Sequence, residues 1–370
     1  MPAPLRIAQV SPLYESVPPK LYGGTERIAS TLTEALVRAG HDVTLFASGD
    51  SLTSAKHVPI GRQALRLSGC RESLAPHLVM FEKLCAMREE FDIVHFHTEY
   101  MHFPIAERLG VPSISTMHGR LDFPEYQDLF AIHRSLPLVS ISHQQRKAVS
   151  FANFVSTVYH GLDLSHLHYH PRGGDYLAFL GRISPEKGVE HAIEIAHRTG
   201  VKLKIAAKIE TMDIDYYERM KPLLNGPLVE FVGEISDREK SDFLGNALAL
   251  IFPITWPEPF GLVMIEAMAT GTPVIAFKNG SVPEVIRHGQ TGFIVDDVRG
   301  AANAIDLLHK IRRETCRVEV EERFSAERMA SEYVKVYHDV IGKRSTSRRV
   351  TKTLVPKPIA RDADIAGGIV

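Results

Sequence analysis

The chain repeats one pattern twice: short apolar runs alternate with helical segments from Leu5 onward, and the pattern restarts near Asp175. Such alternation predicts strands joined by crossover helices, and therefore parallel sheets covered on both faces. A length of 370 residues exceeds what one ordinary core accommodates, so two domains are expected. The predicted fold class is α/β, with two Rossmann-like domains whose sheets face each other across a cleft.

The apolar periodicity places strands and helices along both halves. In the first half, we expect strands over 5–10, 41–47, 92–96, 111–117 and 138–142, and a helix over 26–39. In the second half, we expect strands over 176–181, 202–207, 229–232, 249–253 and 274–277, and helices over 189–199, 236–244, 261–269 and 300–312.

The segment Tyr169–Gly174 has the composition of a linker. It predicts an N-terminal Rossmann-like domain over 1–170 and a C-terminal Rossmann-like domain over 171–324. A final helix over 325–341 could pack back on the first domain. Residues 342–370 collect Lys and Arg without periodicity, which predicts a disordered basic tail or, alternatively, a weak peripheral contact with an anionic membrane or acidic partner.

Charge and cysteine usage narrow the functional classes. A formal net charge of −1 provides no overall field that would attract nucleic acid. The cysteines Cys70, Cys85 and Cys316 form no C-x-x-C pair, so neither a disulfide framework nor a thiolate zinc site is expected. The N-terminus shows no signal-peptide core, and no apolar run approaches the ~20 residues that span a bilayer. We therefore expect a cytoplasmic protein.

The strongest local motif runs from Trp256 to Val274, WPEPFGLVMIEAMATGTPV. A strand, a proline-rich loop and a helix starting near Phe260 are expected, with Pro259 in the first helical turn. The first amides of that helix, Phe260, Gly261 and Leu262, would bind an oxygen of a ligand. Glu258 stands before the turn and Glu266 about two turns into the helix, so the two carboxylates could contact different parts of one ligand.

Two further motifs carry charge or close backbone approach. Arg182 and Lys187 flank the turn after the first strand of the second half, where α/β folds bind ligands and where both cations could hold a diphosphate. Gly23 and Gly24 precede the first helix and permit a phosphate to approach its N-terminus. His118 follows a strand and could donate to a substrate hydroxyl.

The sequence does not predict a bound metal. His95 and His97 share one face of a strand, but no third ligand is spaced to complete a site. Two Asp-x-Asp pairs occur, Asp213 with Asp215 and Asp362 with Asp364. Asp215 is expected to cap a helix that starts at Tyr216, and the second pair lies in the tail. Arg182 and Lys187 can supply the countercharge instead.

With these motifs, the chain resembles family 4 of the retaining glycosyltransferases, which have the two-domain GT-B fold. The resemblance runs from about Leu5 to Ile341 and is most specific over 182–296, including the stretch GQTGFIV from Gly289. It is similar in detail to bacterial avilamycin-type sugar transferases over 244–247 and 252–268. The resemblance implies a hexosyltransferase that needs no cofactor and takes its sugar from a nucleotide-diphosphate donor, with UDP-sugars favoured. It also implies that the domain over 1–170 binds the acceptor and the domain over 171–324 binds the nucleotide-sugar donor.

The resemblance also implies roles for single residues. Catalytic residues would be Arg182 and Lys187 on the diphosphate, Glu258 on the transferred sugar, and His118 beside that sugar. The implied donor-binding residues are Gly23, Gly24, Phe260, Gly261, Leu262, Glu266 on the ribose, and Phe231 with Val232 at the base. One departure is the stretch Ala206-Ala207-Lys208-Ile209, where many members have a glycine-rich turn; it changes the wall beside the nucleotide and leaves the base open.

Two alternatives keep the fold but change the function: a nucleotide-sugar epimerase or phosphorylase-like enzyme, and a nucleotide-sugar-binding protein without activity. No lysine is marked for the pyridoxal phosphate that a phosphorylase needs. The acceptor stays open among glycans, lipid-linked sugars and small molecules. It would contact the loops 14–22, 99–103 and 119–126, and loops carry little readable code.

Overall fold

A computed structural model of the chain describes residues 3–20 and 23–353, with side chains as far as Lys343. The described residues form a seven-stranded sheet in the first half and a six-stranded sheet in the second. Every pair of neighbouring strands in both sheets is parallel. The predicted α/β fold with two Rossmann-like sheets is thereby confirmed.

The strands of the first sheet are β1 Arg6–Val10, β2 Asp42–Ser48, β3 Lys56–Ile60, β4 Ile93–Phe96, β5 Ser113–Thr116, β6 Leu138–Ser140 and β7 Phe154–Thr157. Those of the second sheet are β8 Tyr176–Arg182, β9 Lys202–Lys208, β10 Val229–Gly233, β11 Ala249–Phe252, β12 Val274–Phe277 and β13 Gly292–Val295.

The helices of the first half are α1 Gly24–Arg38, α2 Leu74–Met87, α3 Phe103–Ala106 and α4 Tyr126–Ile132. Those that follow are α5 Val189–Thr199, α6 Ile214–Met220, α7 Asp237–Gly245, α8 Leu262–Ala269, α9 Val282–Val285, α10 Val298–Asp306, α11 Arg313–Arg323 and α12 Ala326–Thr353.

Strand order reverses direction in the middle of each sheet. The first sheet runs β3-β2-β1-β4-β5-β6-β7, and the second runs β10-β9-β8-β11-β12-β13. The strands that follow β1 and β8 (β2, β3 and β9, β10) extend the sheet toward one edge, whereas the strands from β4 and β11 onward extend it toward the other. A crevice opens at such a point, beyond the carboxyl ends of the strands, and it is where open α/β sheets bind ligands.

Several elements were not anticipated from the sequence. The strands β3, β7 and β13 and the helices α2, α3, α4, α9 and α11 were all missed. β3 contains Pro59 and lies at the edge of its sheet, where a missing N–H is tolerated. β7, at the opposite edge, is half-buried along its length. Edge strands lack the continuous apolar run by which a buried strand is recognised.

Packing separates the two halves. One apolar core lies between the second sheet and its helices, and two others cover the two faces of the first sheet. The central strands β4 and β11 are buried at every position, as expected for parallel strands with helices on both faces.

The backbone passes between the halves at two places that lie side by side. The Leu162 amide donates to the Phe324 carbonyl at 2.8 Å, and the Ala326 amide donates to the Leu162 carbonyl at 3.0 Å. After the second crossing, α12 returns to the first half and packs against α1. Tyr333 and Tyr337 of α12 are fully buried in a core of the first half.

The predicted end of the last helix, at Ile341, was wrong. The α12 backbone continues through Gly342 to Thr353, so the disorder predicted from residue 342 does not apply to 342–353. One glycine costs a helix only about 1 kcal/mol, and the Lys and Arg residues that follow are good helix formers. The rest of the predicted basic tail, 354–370, lies outside the described residues.

Within the described ranges, no helix combines the length and the apolar character that a bilayer crossing requires.

Replacing Gly161 with Ala tests the paired crossings. A Cβ at Gly161 would lie 2.4 Å from the Ser325 carbonyl oxygen, so the two segments would have to separate. We expect Gly161→Ala to lower the free energy of unfolding by roughly 1–3 kcal/mol, as overpacking does, measured by urea denaturation. Gly342→Ala is the matched control, because a Cβ there meets no heavy atom within 4 Å. It should be neutral or stabilising, and equal stability of both variants would contradict the assigned packing.

Candidate active site

One cavity lies between the halves, at the carboxyl ends of strands from both sheets. The first half lines it with Gly23, Gly24, Thr25, Arg27, His118, Ile141 and His160. The second half lines it with Leu180, Gly181, Lys187, Ala206, Ala207, Lys208, Glu234, Ile235, Asp237, Lys240, Phe252, Glu258, Phe260, Gly261, Leu262, Val263 and Glu266. Nine of the predicted site residues are therefore brought together here: Gly23, Gly24, His118, Lys187, Glu258, Phe260, Gly261, Leu262 and Glu266.

The N-terminus of α8 opens into the cavity. The helix begins at Leu262 rather than near Phe260, so Pro259 precedes the first turn. Gly261 occupies the cap position with φ at 80°, a conformation that glycine adopts without strain. The amides of Leu262 and Val263 then lie in the first turn, where a helix offers no internal acceptor, and they can bind an anionic oxygen.

Glu258 and Lys187 contact each other in the cavity wall. The Lys187 ammonium donates to Glu258 Oε2, and both side chains are largely buried. The indole Nε1 of Trp256 donates to the same carboxylate oxygen at 3.1 Å. Lys187 also lies over the Trp256 ring, 5.0 Å from its centroid. The carboxylate is thus oriented by two donors and faces a ligand with its charge already balanced.

A second group of charges lies around Glu266. The Lys240 ammonium is 2.7 Å from Glu266 Oε1 and 3.2 Å from Asp237 Oδ1. Asp237 in turn pairs with Arg27 of α1, which belongs to the other half of the molecule. This group therefore links the halves across one side of the cavity.

Two more contacts join the halves near the cavity. Glu284 of α9 accepts hydrogen bonds of 2.7 Å from the backbone amides of His143 and Gln144. The Arg120 guanidinium lies 5.5 Å from the centroid of the Trp256 ring. Polar and cation–aromatic contacts of this kind can break and re-form more readily than an apolar core.

Arg182 does not line the cavity, contrary to the sequence prediction. Its guanidinium pairs with Glu186 and, at 3.4 Å, with Asp213. Two carboxylates on the same side hold the guanidinium beside the cavity wall, of which its neighbour Gly181 is part. Sequence spacing could not reveal this, because Asp213 follows the next strand, β9.

The Asp213–Asp215 pair does not act as predicted either. Helix α6 begins at Ile214, so Asp213 stands at the cap position and Asp215 lies inside the first turn. Asp213 accepts a hydrogen bond of 3.4 Å from the Arg182 guanidinium. Among the residues described, no three His, Cys, Asp or Glu side chains are arranged to hold a metal ion.

Phe231 and Val232 were predicted to contact the base of the nucleotide. Both lie within β10, and neither lines the cavity. Glu234 and Ile235, in the loop that follows the strand, line it instead. Ligands of parallel sheets bind beyond the strand ends. Because β10 ends only at Gly233, the predicted pair lies in the strand and not in the loop that follows it.

Ala206, Ala207 and Lys208, where the sequence differs from the usual family pattern, form part of the cavity wall. All three residues belong to β9, which extends to Lys208. The Lys208 ammonium lies 3.2 Å from Glu210 Oε1. Lys208 is thus a cation of the site that no sequence motif indicated.

The glycine pair is closely packed, Gly23 within the first half and Gly24 against the second. A Cβ on Gly23 would lie 2.8 Å from Pro19 Cβ, and one on Gly24 would lie 3.6 Å from Leu262 Cδ1 of α8. The N-terminus of α1 thus comes close to the N-terminus of α8 across the cavity.

His118 contacts two other histidines. Its Nε2 is 2.9 Å from His97 Nδ1, and its ring stacks on that of His160 with centroids 5.3 Å apart. Burial lowers the pKa of His118 to about 3, so this imidazole is neutral near pH 7. His160 was not predicted, although its position before Gly161 repeats the His118-Gly119 pattern.

Glu99 holds the turn that carries His118. Its Oε1 accepts hydrogen bonds of 3.0 Å from the amides of His118 and Gly119. Glu99 itself has φ at 49°, which is uncommon for a residue with a side chain. Burial raises the pKa of Glu99 to about 7, although the two amides act in the opposite direction.

Glu99 should make stability depend on pH. Between about pH 4.5 and 7 the folded protein keeps this proton while the unfolded chain releases it, so stability falls as pH rises. Glu99→Gln keeps an oxygen for both amides and removes the charge. We expect the variant to be more stable than the parent at pH 8 by roughly 1–3 kcal/mol and no more stable at pH 4.5, measured by urea denaturation. The exposed Glu125→Gln is the control; a pH-independent difference for Glu99→Gln would contradict this assignment.

Family comparisons agree with the two-part architecture. Residues 22–166 match the model of "Glycosyltransferase Family 4", and residues 168–326 match that of "Glycosyl transferases group 1". Among curated proteins, N-acetyl-alpha-D-glucosaminyl L-malate synthase of Bacillus anthracis is 29% identical over 376 residues, covering 86% of this chain and 94% of that protein.

Solved structures with the same fold include AviGT4 and HepE. AviGT4, a glycosyltransferase involved in avilamycin A biosynthesis, superposes with a TM-score of 0.72 at 23% identity, covering 92% of this chain and 98% of its own. HepE of Anabaena, crystallised with UDP and glucose, gives a TM-score of 0.71 at 17% identity and coverages of 90% and 100%. Taken with the cavity between two parallel sheets, these matches establish that the chain is a glycosyltransferase of the GT-B fold, similar to family 4.

Proposed function

We propose that the protein is a retaining hexosyltransferase that transfers a sugar from a nucleotide-diphosphate donor, with UDP-sugars favoured, and needs no metal ion. The observation that carries this proposal is the meeting of Lys187, Glu258 and the N-terminus of α8 in one cavity. A cation, a carboxylate and open helix amides match the three parts of a sugar diphosphate: charged phosphates, sugar hydroxyls and bridging oxygens.

The leaving group needs the most stabilisation. When the bond between the anomeric carbon and the phosphate oxygen breaks, its electron pair stays on the diphosphate. Lys187 and the amides of Leu262 and Val263 would face this growing negative charge. Fixed donors of this kind account for large parts of enzymatic rate enhancement because they need not reorganise during the reaction.

Glu258 would exchange partners when the donor binds. Without donor, its Oε2 accepts from both Lys187 and Trp256. A diphosphate would draw Lys187 away, while Trp256 keeps the carboxylate oriented. Glu258 could then accept hydrogen bonds from sugar hydroxyls and face the positive charge that develops at the anomeric carbon.

Arg182 and Lys208 would complete the phosphate contacts. Arg182 would have to turn from Glu186 and Asp213 to reach the cavity, whereas Lys208 already lines it. Two basic groups at the ends of neighbouring strands provide charge without a divalent ion, consistent with the predicted independence from metal. Retention would follow from attack of the acceptor oxygen on the face that the diphosphate leaves, the acceptor's proton passing to the departing phosphate oxygen.

The nucleoside would lie on the second half. Glu266 on α8 is positioned for ribose hydroxyls beside Lys240, and Glu234 with Ile235 would contact the base. HepE, which has the same fold, was crystallised with UDP, so uridine is the first base to test. The domain assignment follows: 171–324 would bind the donor, and 1–170 with α12 would receive the acceptor, whether glycan, lipid-linked sugar or small molecule.

Donor binding and turnover test the proposal directly. We expect UDP-glucose or another nucleotide sugar to raise the melting temperature, since a ligand at 100 times its Kd adds about 2.7 kcal/mol of stability. Slow release of nucleotide should follow, unchanged by EDTA, with the sugar first appearing as the anomer that retains the donor configuration in NMR spectra. Stabilisation without release would indicate an inactive binding protein, an isomerised nucleotide sugar would indicate an epimerase, and loss of activity in EDTA would contradict metal independence.

Lys187→Ala tests the proposed role of the cation. Removing one preorganised charge should lower kcat with saturating donor by about 10²–10³-fold, equivalent to ~2.7–4 kcal/mol of transition-state stabilisation. Lys202→Ala is the control, because Lys202 opens β9 at the end of the strand opposite the cavity and pairs with Glu230 at 2.8 Å. Unchanged turnover in Lys187→Ala would refute the role.

A further inference from the structure

A chain of buried hydrogen bonds connects α12 to the cavity. It begins at Tyr337 of α12, passes through Gln9 of β1 and His97 after β4, and ends at His118 in the cavity wall. The Tyr337 hydroxyl accepts from Gln9 Nε2 at 3.0 Å, Gln9 Oε1 lies 2.7 Å from His97 Nε2, and His97 Nδ1 lies 2.9 Å from His118 Nε2.

A side branch leaves the same tyrosine. The Tyr337 hydroxyl is 2.9 Å from His95 Nδ1, and His95 Nε2 is 2.7 Å from Thr116 Oγ1. Thr116 in turn lies 2.8 Å from the Tyr333 hydroxyl. Solvent does not reach these hydrogen bonds, because the side chains that form them are fully buried: Gln9, His95, His97, Tyr333 and Tyr337.

His95 and His97 are neutral, because burial lowers the pKa of each imidazole well below its ordinary value. A neutral imidazole carries one N–H and one lone pair. When both nitrogens are bonded, the partner of one nitrogen therefore decides what the other can do.

The same reasoning assigns donors and acceptors from Gln9 to His97 and then to His118. Gln9 Oε1 can only accept, so His97 Nε2 carries the hydrogen and His97 Nδ1 is an acceptor. His118 Nε2 must then donate to His97, which leaves a lone pair on His118 Nδ1. The Gln9 amide is oriented by its other end, where Nε2 donates to Tyr337.

His118 Nδ1 has no protein partner within the described part of the chain and is shielded from solvent. Leaving a buried polar atom without a partner is unfavourable, unless a ligand supplies one. His118 lines the cavity, so a hydroxyl of a ligand could reach Nδ1 as the halves adjust around it. The lone pair would accept that hydroxyl's hydrogen, the reverse of the donor role expected from the sequence.

We propose that Tyr337 and Gln9 are positioning residues: they fix the tautomer of His118 so that its Nδ1 accepts a hydrogen bond from a hydroxyl of the donor sugar. The part of this statement that concerns the sugar rests on the proposed function. The part that concerns the tautomer depends only on the hydrogen-bond chain.

Tyr337→Phe tests the chain, with Tyr333→Phe as its matched control. Both substitutions remove one fully buried hydroxyl from α12, but only Tyr337 orients the Gln9 amide. In full-length protein labelled with ¹⁵N-histidine, we expect His118 to show a protonated Nε2 and an unprotonated Nδ1 in the parent and in Tyr333→Phe. Tyr337→Phe should show a mixture of tautomers. The His118 signals are assigned by their loss in His118→Gln.

Affinity gives the functional readout. Calorimetry with UDP-glucose and with UDP separates the sugar contribution from that of the nucleotide. We expect Tyr337→Phe to lower the affinity for UDP-glucose about fivefold to tenfold, the equivalent of one hydrogen bond. The affinity for UDP should be unchanged. Tyr333→Phe should change neither by more than about twofold.

The outcomes separate the two proposals. An unaltered His118 tautomer in Tyr337→Phe overturns the positioning role, whatever the protein binds. A mixture of tautomers overturns the sugar contact if the affinities for UDP and UDP-glucose fall equally, or if neither falls. If neither compound binds the parent, the UDP-sugar assignment fails while the tautomer measurement still decides the positioning role. Gln9→Met, which removes the amide at similar length, repeats the test should Tyr337→Phe not fold.

Discussion

The reversal of strand order in the middle of each parallel sheet is the constraint on which the site depends. It occurs between β1 and β4 in the first sheet and between β8 and β11 in the second. Parallel strands all present their carboxyl ends at one edge, and the reversal leaves that edge uncovered by helices. Because the two uncovered edges face each other, residues as distant in sequence as Gly23 and Glu266 line one cavity.

Charge balance is the second organising feature. Lys187 pairs with Glu258, Lys240 with Glu266, Arg27 with Asp237, and Lys208 with Glu210. An unpaired charge in a partly buried cleft would be costly, and pairing removes that cost without a ligand. Under the proposed function the same pairs would make the site responsive, since the diphosphate of the donor would replace a carboxylate as the partner of a lysine. Because Arg27 and Asp237 come from different halves, binding and closure would involve the same group of charges.

Helix α12 gives the first half a polar interior that is rare in so apolar a core. Its tyrosines reach His95 and Thr116, and through Gln9 they reach His97. Buried polar groups are tolerated when each has a partner, and satisfied networks hold their members in one arrangement. The unpartnered nitrogen of His118 is the point at which this network meets the cavity.

The sequence by itself determined the fold class and the part of the site that is local in the chain. Glu258, Gly261 and Glu266 lie on one strand–loop–helix unit, whose geometry follows from short-range backbone preferences, and all three line the cavity between the halves. Only the tertiary structure decided where long side chains point. Arg182 turned to Asp213, and the wall at the proposed base site came from Glu234 rather than Phe231, because those directions depend on partners and strand ends set by distant segments. Arg27, Lys208 and the link from Tyr337 to His118 were likewise unreadable, since each contact joins elements that only the folded chain brings together.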